Sequence, residues 1–264
     1  MRSVLNTVAT ISVLLICITV QPVLSAEWSD FSLGYRYGQE FREPGIDKDI
    51  KKNIITFTSL NGYQTGSNFM NLDVLISDKN DPAQGNDMGA TELFLVYIQQ
   101  FSYGKILNEK PLNFGILKDV SLSVGCELSA KNTAFAANKA AFIAGPTLNL
   151  AVPTPIPGFL DFSVMLYKEW GHDGINRQQI DYDPTYLLVA TWRIPFDIAP
   201  LHLNFKGCAS YVGKKGKTGF GEETEPELLL DAYLMVDIGA LFGKAKIAWL
   251  GTGVEYWKNK YGNP

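Results

Sequence analysis

The sequence predicts an all-β fold, an antiparallel up-and-down transmembrane β-barrel, and three observations carry that prediction. Segment after segment of about ten residues alternates apolar with polar or small side chains. A leader-like stretch precedes these segments, and no unbroken apolar run of membrane-spanning length follows it. A strand repeats every two residues, so alternation gives each segment one greasy and one wet side. A soluble β-sandwich alternates as well but hides its apolar face in a core, so alternation alone leaves both folds open.

The leader favours the barrel. Arg2 supplies a positive start, Val8 to Val20 is almost wholly apolar, and Val23-Leu24-Ser25-Ala26 offers small residues for cleavage after Ser25 or Ala26. Residues 1–26 therefore read as a cleaved signal peptide and 27–264 as the barrel. The apolar run is shorter than the roughly 20 residues a spanning helix needs. Cys17 lacks the small residues a lipoprotein cleavage site places before it. A membrane role then falls to strands, because only helices and closed barrels satisfy their backbone groups in lipid.

The strands follow in order. Trp28–Gly38 sets Phe31, Leu33, Tyr35 and Tyr37 outward as an aromatic stripe and turns Arg36 inward. Asn53–Asn61 leads through the short turn Gly62–Gly66 into Ser67–Ser77. There Met70, Leu72, Val74 and Ile76 face one way and Asn71, Asp73 and Ser77 the other, with Leu75 breaking the pattern. Thr91–Lys105 runs through the link Ile106–Lys118 into Asp119–Ser129. That strand alternates Val120, Leu122, Val124, Cys126 and Leu128 with Ser121, Ser123, Gly125, Glu127 and Ser129. Lys139–Ala151 turns Asn149 inward, and Phe159–Trp170 turns Asp161, Tyr167 and Glu169. Thr185–Pro195 contributes Arg193, Leu201–Val212 contributes Asn204 and Lys206, and Glu227–Ile238 contributes Asp231 and Tyr233. Lys244–Lys258 closes the series.

These are about eleven segments, each near the roughly 9–11 residues a tilted strand needs to cross a bilayer. Connections alternate in character: Gln39–Lys52, Asp78–Ala90, Gly171–Pro184 and Gly213–Pro226 are long and charged, while Gly62–Gly66, Pro153–Gly158, Phe196–Pro200 and Gly239–Gly243 are short. Outer-membrane barrels have short periplasmic turns and longer outer loops, which puts the N-terminus in the periplasm. Ile106–Lys118 is the exception. Bacterial barrels have an even strand count, so an odd count without a terminal aromatic predicts that a last strand is missing.

Composition excludes some functions. The chain has 264 residues, 46% hydrophobic and 12% aromatic, with a mean hydropathy of +0.01. Alternation conceals a barrel from such averages. Without the leader, 22 basic and 27 acidic residues remain, a charge of about −5, with none of the basic patch a nucleic-acid surface needs. Of the cysteines, Cys126 falls on the apolar face and Cys208 shares parity with His202, Asn204 and Lys206, which argues against a disulfide. Only His172, beside Asp173, and His202 offer imidazoles, and no G-x-S-x-G accompanies them; the chain reads as no enzyme. Lys79-Asn80-Asp81 with Asp87 lacks the order of a calcium loop. No metal or other cofactor is expected.

The inward set, including the candidate lumen residues Arg36, Asn71, Asp73, Glu127, Tyr167, Glu169, Arg193, Lys206, Asp231 and Tyr233, mixes both signs of charge. A strong ion selector shows rings of one sign.

The chain from residue 27 resembles the Tsx-like nucleoside-specific channel-forming outer-membrane proteins. The resemblance is carried by Trp28-Ser29-Asp30-Phe31-Ser32, by Asn68-Phe69-Met70-Asn71-Leu72-Asp73 running into Ser77-Asp78-Lys79-Asn80-Asp81-Pro82, by Trp192-Arg193-Ile194-Pro195-Phe196, and most distinctively by Gly253-Val254-Glu255-Tyr256-Trp257-Lys258-Asn259-Lys260-Tyr261-Gly262. It implies a monomeric twelve-stranded barrel in the outer membrane of a Gram-negative cell. Its narrow lumen would pass nucleosides by passive diffusion, and its loops would serve phage or colicin in some members. A nucleoside needs flat side chains for its base, worth roughly 1–3 kcal/mol each, and polar partners for its sugar. Tyr167, Tyr233 and Trp257 are the candidate platforms, and Asp73, Glu127, Arg193 and Lys206 the candidate polar partners. A general small-solute porin and a phage or colicin receptor without nucleoside selectivity are the alternatives.

Overall fold

In the computed structural model, residues 26–43, 45–108, 114–134, 138–152, 154–172 and 179–263 are described. The leader up to Ser25, parts of five connections, one of them including Asp173, and Pro264 lie outside the described residues. The chain forms one antiparallel sheet in sequence order. Its strands are β1 (Trp28–Glu43), β2 (Ile46–Tyr63), β3 (Gly66–Ser77), β4 (Thr91–Ser102), β5 (Leu117–Lys131), β6 (Asn138–Leu150), β7 (Phe159–His172), the two-residue β8 (Ile180–Asp181), β9 (Thr185–Ile198), β10 (Leu201–Val212), β11 (Glu227–Asp237) and β12 (Trp249–Lys258). A helical turn α1, Tyr103–Ile106, follows β4. Each long strand pairs with the next, β7 pairs with β9 as well as β8, and β1 and β12 are not hydrogen-bonded to each other among the described residues. The all-β up-and-down architecture expected from alternation is the one observed. No helix among the described residues is long and apolar enough to cross a membrane.

The sheet curls. Side chains from strands far apart in sheet order meet on its concave face, as where Arg193 of β9 reaches Asp30 of β1 at 2.9 Å. Register fixes which residues share that face. Thr56, Asp73, Phe94, Ser129 and Lys139 stand directly opposite one another in successive strands, all turned inward. Leu33 and Phe57 are partners on the other side. Polarity is inverted relative to a soluble domain: on β5, Ser123 is 1% exposed while Leu122 is 53% exposed. Phe31, Tyr35 and Tyr37 are exposed with Leu33, which is 78% exposed. Along β5, β6 and β7 a hydroxyl ladder crosses the concave face, Ser123 to Thr147 at 2.6 Å and Thr147 to Ser163 at 2.7 Å. Beside it lies an inward apolar cluster of Ala141, Ile143, Met165, Tyr167, Leu187 and Val212.

Several boundaries depart from the sequence reading. The predicted charged loop Gln39–Lys52 is mostly strand, since β1 continues to Glu43 and β2 begins at Ile46. Register shifts between Gly38, Phe41 and Glu43 mark where β1 bulges, which blurs the alternation there. Thr91–Lys105 stops at Ser102, whose hydroxyl accepts from the Lys105 N–H and caps α1. Lys244–Lys258 loses its first five residues to the connection after β11. The turn before β3 requires glycine: Gly66 has φ +153°, and a Cβ there would lie 1.9 Å from the Gln100 carbonyl oxygen. Cys126 and Cys208 are not joined in a disulfide.

Thr147→Val keeps the shape of a fully buried side chain but leaves the Ser123 and Ser163 hydroxyls without their shared partner. The expected loss is about 1–3 kcal/mol, read by equilibrium urea unfolding; an unchanged midpoint contradicts the ladder.

Candidate functional site

The concave face carries three tiers of charge, and each tier is built from strand parity. At the end where the N-terminus lies, Arg193 pairs with Asp30. Halfway along, Arg36 of β1 reaches Asp73 of β3 at 3.0 Å, Asp231 of β11 at 3.5 Å and Glu255 of β12 at 3.5 Å. Its guanidinium donates to the Tyr233 hydroxyl and sits 5.4 Å from that ring's centre. One arginine thus ties together strands from both edges of the sheet.

The third tier fills the end with the long loops. Lys52, Lys131 and Lys260 surround Glu43, with Lys131 at 3.3 Å and Lys260 at 3.0 Å; Lys52 and Lys260 also reach Glu92, and Lys131 holds Asp81 at 2.8 Å. Beside this knot, Lys139 pairs with Glu127 at 2.7 Å, and Lys215 bridges Glu169 at 2.7 Å and Glu227 at 2.5 Å. Nearly all of these side chains are buried. Buried charges persist only when paired, and here each has at least one counter-charge. Burial opposes the charge on Lys215, but Glu169 and Glu227 outweigh it and hold its pKa above the ordinary 10.5.

All ten predicted lumen residues lie on the concave face, though in different surroundings. Arg36, Asp73, Asp231 and Tyr233 come together in the middle tier. Asn71 lies nearby and accepts from the Thr58 hydroxyl at 2.8 Å. Glu127 and Glu169 belong to the loop-end tier, and Arg193 to the opposite end. Lys206 stands between Arg193 and Tyr233 in register and has no ion pair within 4 Å among the described residues. Tyr167 corrects the sequence reading as an open platform: it is 0% exposed, packed in the apolar cluster, with its hydroxyl donating to Glu169 at 2.7 Å. Trp257 faces inward against Phe94 and Tyr261.

Sequence reasoning missed Glu43, Lys52, Glu92, Lys131, Lys139, Lys215, Glu227, Glu255 and Lys260. Glu43, Lys52 and Lys215 lie in segments the sequence reading gave to charged loops, while Glu92, Lys139, Glu227 and Glu255 lie in strands it recognised without placing them inward. It also missed the pair of His202 with Asp197, Nδ1 to Oδ1 2.7 Å, at the opposite rim. Alternation carried past Gly38 to Glu43 would have found the first of these, had the bulge not broken the count.

A cavity of about 30 Å³, lined by Phe94, Lys139, Ser210, Leu229 and Trp257 among others, has room for about two waters. Arg36 Nε and Asp231 Oδ1 at mid-depth, and Asn204 Oδ1 nearer the short-turn end, are buried without partners among the described residues, so bonding capacity there is unused. No family model matches the chain, and no curated protein matches it.

Lys215→Met leaves Glu169 and Glu227 buried without their cation, and the expected cost is about 3–5 kcal/mol. A group whose pKa rises on folding stabilises fully below its unfolded value and loses that contribution as pH rises through the folded value. The gap between wild type and Lys215→Met, measured by denaturant unfolding, is therefore expected to be constant from about pH 7, where both carboxylates are ionised, up to 10.5, and to narrow above it. A gap that opens only in alkali contradicts the pairing.

Proposed function

We propose that this chain is an outer-membrane barrel that passes small uncharged polar solutes passively into the periplasm, nucleosides being the favoured class. The observation that carries the reading is the inverted polarity: large apolar side chains cover the convex face while paired charges and hydroxyls line the concave one. Such a surface is satisfied by lipid outside and polar contents within. The orientation follows from loop length and puts the third tier at the cell exterior.

The lumen chemistry supports an uncharged permeant. Every tier mixes cations with carboxylates, and none is the ring of one sign that a strong ion selector shows. A sugar hydroxyl both donates and accepts, and suits the unpartnered Arg36 Nε, Asp231 Oδ1 and Asn204 Oδ1. Tyr233 lies in the same tier as a surface for a flat base, once the Arg36 side chain shifts from it. Nucleosides in particular come from the resemblance carried by the segment from Gly253 to Gly262. Passage needs each site to release its ligand, which contacts shared with water and neighbouring carboxylates provide. The filled outer tier favours a second reading, a receptor whose loops matter more than its lumen.

Planar-bilayer conductance with adenosine, thymidine or glucose separates the readings. Current blocked by the nucleosides and not by glucose is expected; no block by any of them contradicts nucleoside passage, and no current at all leaves the receptor. The membrane reading has its own check: Leu122→Arg is expected to cost about 2–4 kcal/mol of folding into vesicles if it lies near the bilayer midplane, and a neutral effect contradicts a lipid-facing β5.

A further inference from the structure

After β12 the chain turns sharply back over the lumen at Lys260–Gly262. Asn259, Tyr261 and Gly262 all take left-handed backbone angles, with φ of 55°, 62° and 77°. Two of these residues carry a Cβ, which disfavours that region, so contacts from elsewhere hold the turn. Asn259 Nδ2 donates to the Pro226 carbonyl at 2.9 Å, the Glu225 N–H donates to the Gly262 carbonyl at 2.9 Å, and the Tyr261 N–H donates to Glu227 at 3.2 Å.

The turn delivers one ammonium into a built cage. Lys260 Nζ donates to both Glu43 oxygens at 3.0 and 3.1 Å and to both Glu92 oxygens at 3.4 Å. It lies 4.9 Å from the centre of the Trp257 ring and 5.2 Å from that of Tyr261, and the Tyr261 hydroxyl donates to Glu92 at 3.1 Å. Two carboxylates and two aromatic faces suit a primary ammonium. Glu43 and Glu92 belong to β1 and β4, so Lys260 spans from the last long strand to the opposite wall.

Lys260 differs from its neighbours in what its departure leaves behind. Lys215 is the sole cation within ion-pair distance of Glu169 and of Glu227 among the described residues. Without Lys260, Glu43 keeps Lys52 and Lys131, and Glu92 keeps Lys52. The seat survives its occupant, which is what a releasable contact needs and a purely structural one does not. We infer that the Asn259–Gly262 turn is a strap across the loop-end mouth of the barrel, fastened by Lys260 in its carboxylate and aromatic cage. Its release opens the lumen, and a free alkylammonium ion is the ligand class the emptied cage accepts. The role in gating rests on the channel reading; closure of the mouth is measured apart from it.

The test uses the full chain in vesicles, with Cys17→Ser, Cys126→Ser, Cys208→Ser and Ser210→Cys, so that the one thiol lines the small cavity. A membrane-impermeant thiol reagent is added on the loop side. Slow modification is expected with Lys260 or Lys260→Arg, and modification roughly tenfold faster or more with Lys260→Ala, slowed again by n-butylammonium. Equal rates for Lys260 and Lys260→Ala overturn the strap, and a fast rate that butylammonium leaves unchanged overturns the cage as its fastening. Where Lys260→Ala folds poorly, Asn259→Ala loosens the turn without touching a charge and is expected to accelerate modification as well; no acceleration again overturns the strap. Faster modification without nucleoside-blocked current keeps the strap and removes the nucleoside channel.

Discussion

A charge enclosed by a curled sheet has to find its partner across the interior, and the rest of this structure depends on that requirement. The backbone ladder runs from β1 to β12 without joining them. Across that gap the molecule is held by side chains: Arg193 to Asp30, Arg36 to Asp231 and Glu255, Lys260 to Glu43. Each is a cation reaching over the concave face, and together they draw the edges toward each other at three depths. Exposed ion pairs contribute little, and Arg193 with Asp30 is one of them; the Arg36 and Lys260 pairs are enclosed or partly so, where losing one partner strands the other.

The same requirement shapes the interior. Strand parity alone delivers polar and apolar residues to the concave face, and the two kinds separate. On the β6–β10 wall, Ile143, Met165, Leu187 and Val212 pack around Tyr167 and leave no passage through themselves. On the β11–β3 wall, running through the gap, Arg36, Asp73, Asp231 and Glu255 stay partly accessible, and unpartnered atoms remain. The solute path of the proposed channel therefore belongs beside Arg36 rather than beside Tyr167. At the loop end the path meets buried lysines and carboxylates, where the proposed strap decides whether it is open.

Much of this was legible in the sequence. Period-two alternation over Met70–Ser77 and Val120–Ser129 gives face and register, because a shift of one residue would turn Leu72 and Leu122 into the polar interior. Leu201–Val212 was legible to the residue for the same reason. The outer tier was not legible. Lys52 and Glu43 lie where β1 bulges and parity slips, Lys139 opens a recognised strand whose end shows no parity contrast, and Lys215 and Lys260 look like ordinary solvated charges until the topology carries them over the mouth. Glu255 was obscured by a strand rich in Gly, Trp and Tyr, whose two faces contrast weakly. Tyr167 was placed on the correct face and given the wrong surroundings, since parity reports direction and says nothing of what stands opposite.

The central claim is that the convex face meets lipid while the concave face encloses the charges. A nitroxide scan along β3, one label at a time from Met70 to Ile76 in the full chain reconstituted in vesicles, tests it most directly. The account predicts that collisions with membrane-dissolved oxygen alternate along the strand, high at Met70, Leu72, Val74 and Ile76 and low at Asn71, Asp73 and Leu75. Uniform accessibility, or the opposite phase, contradicts it.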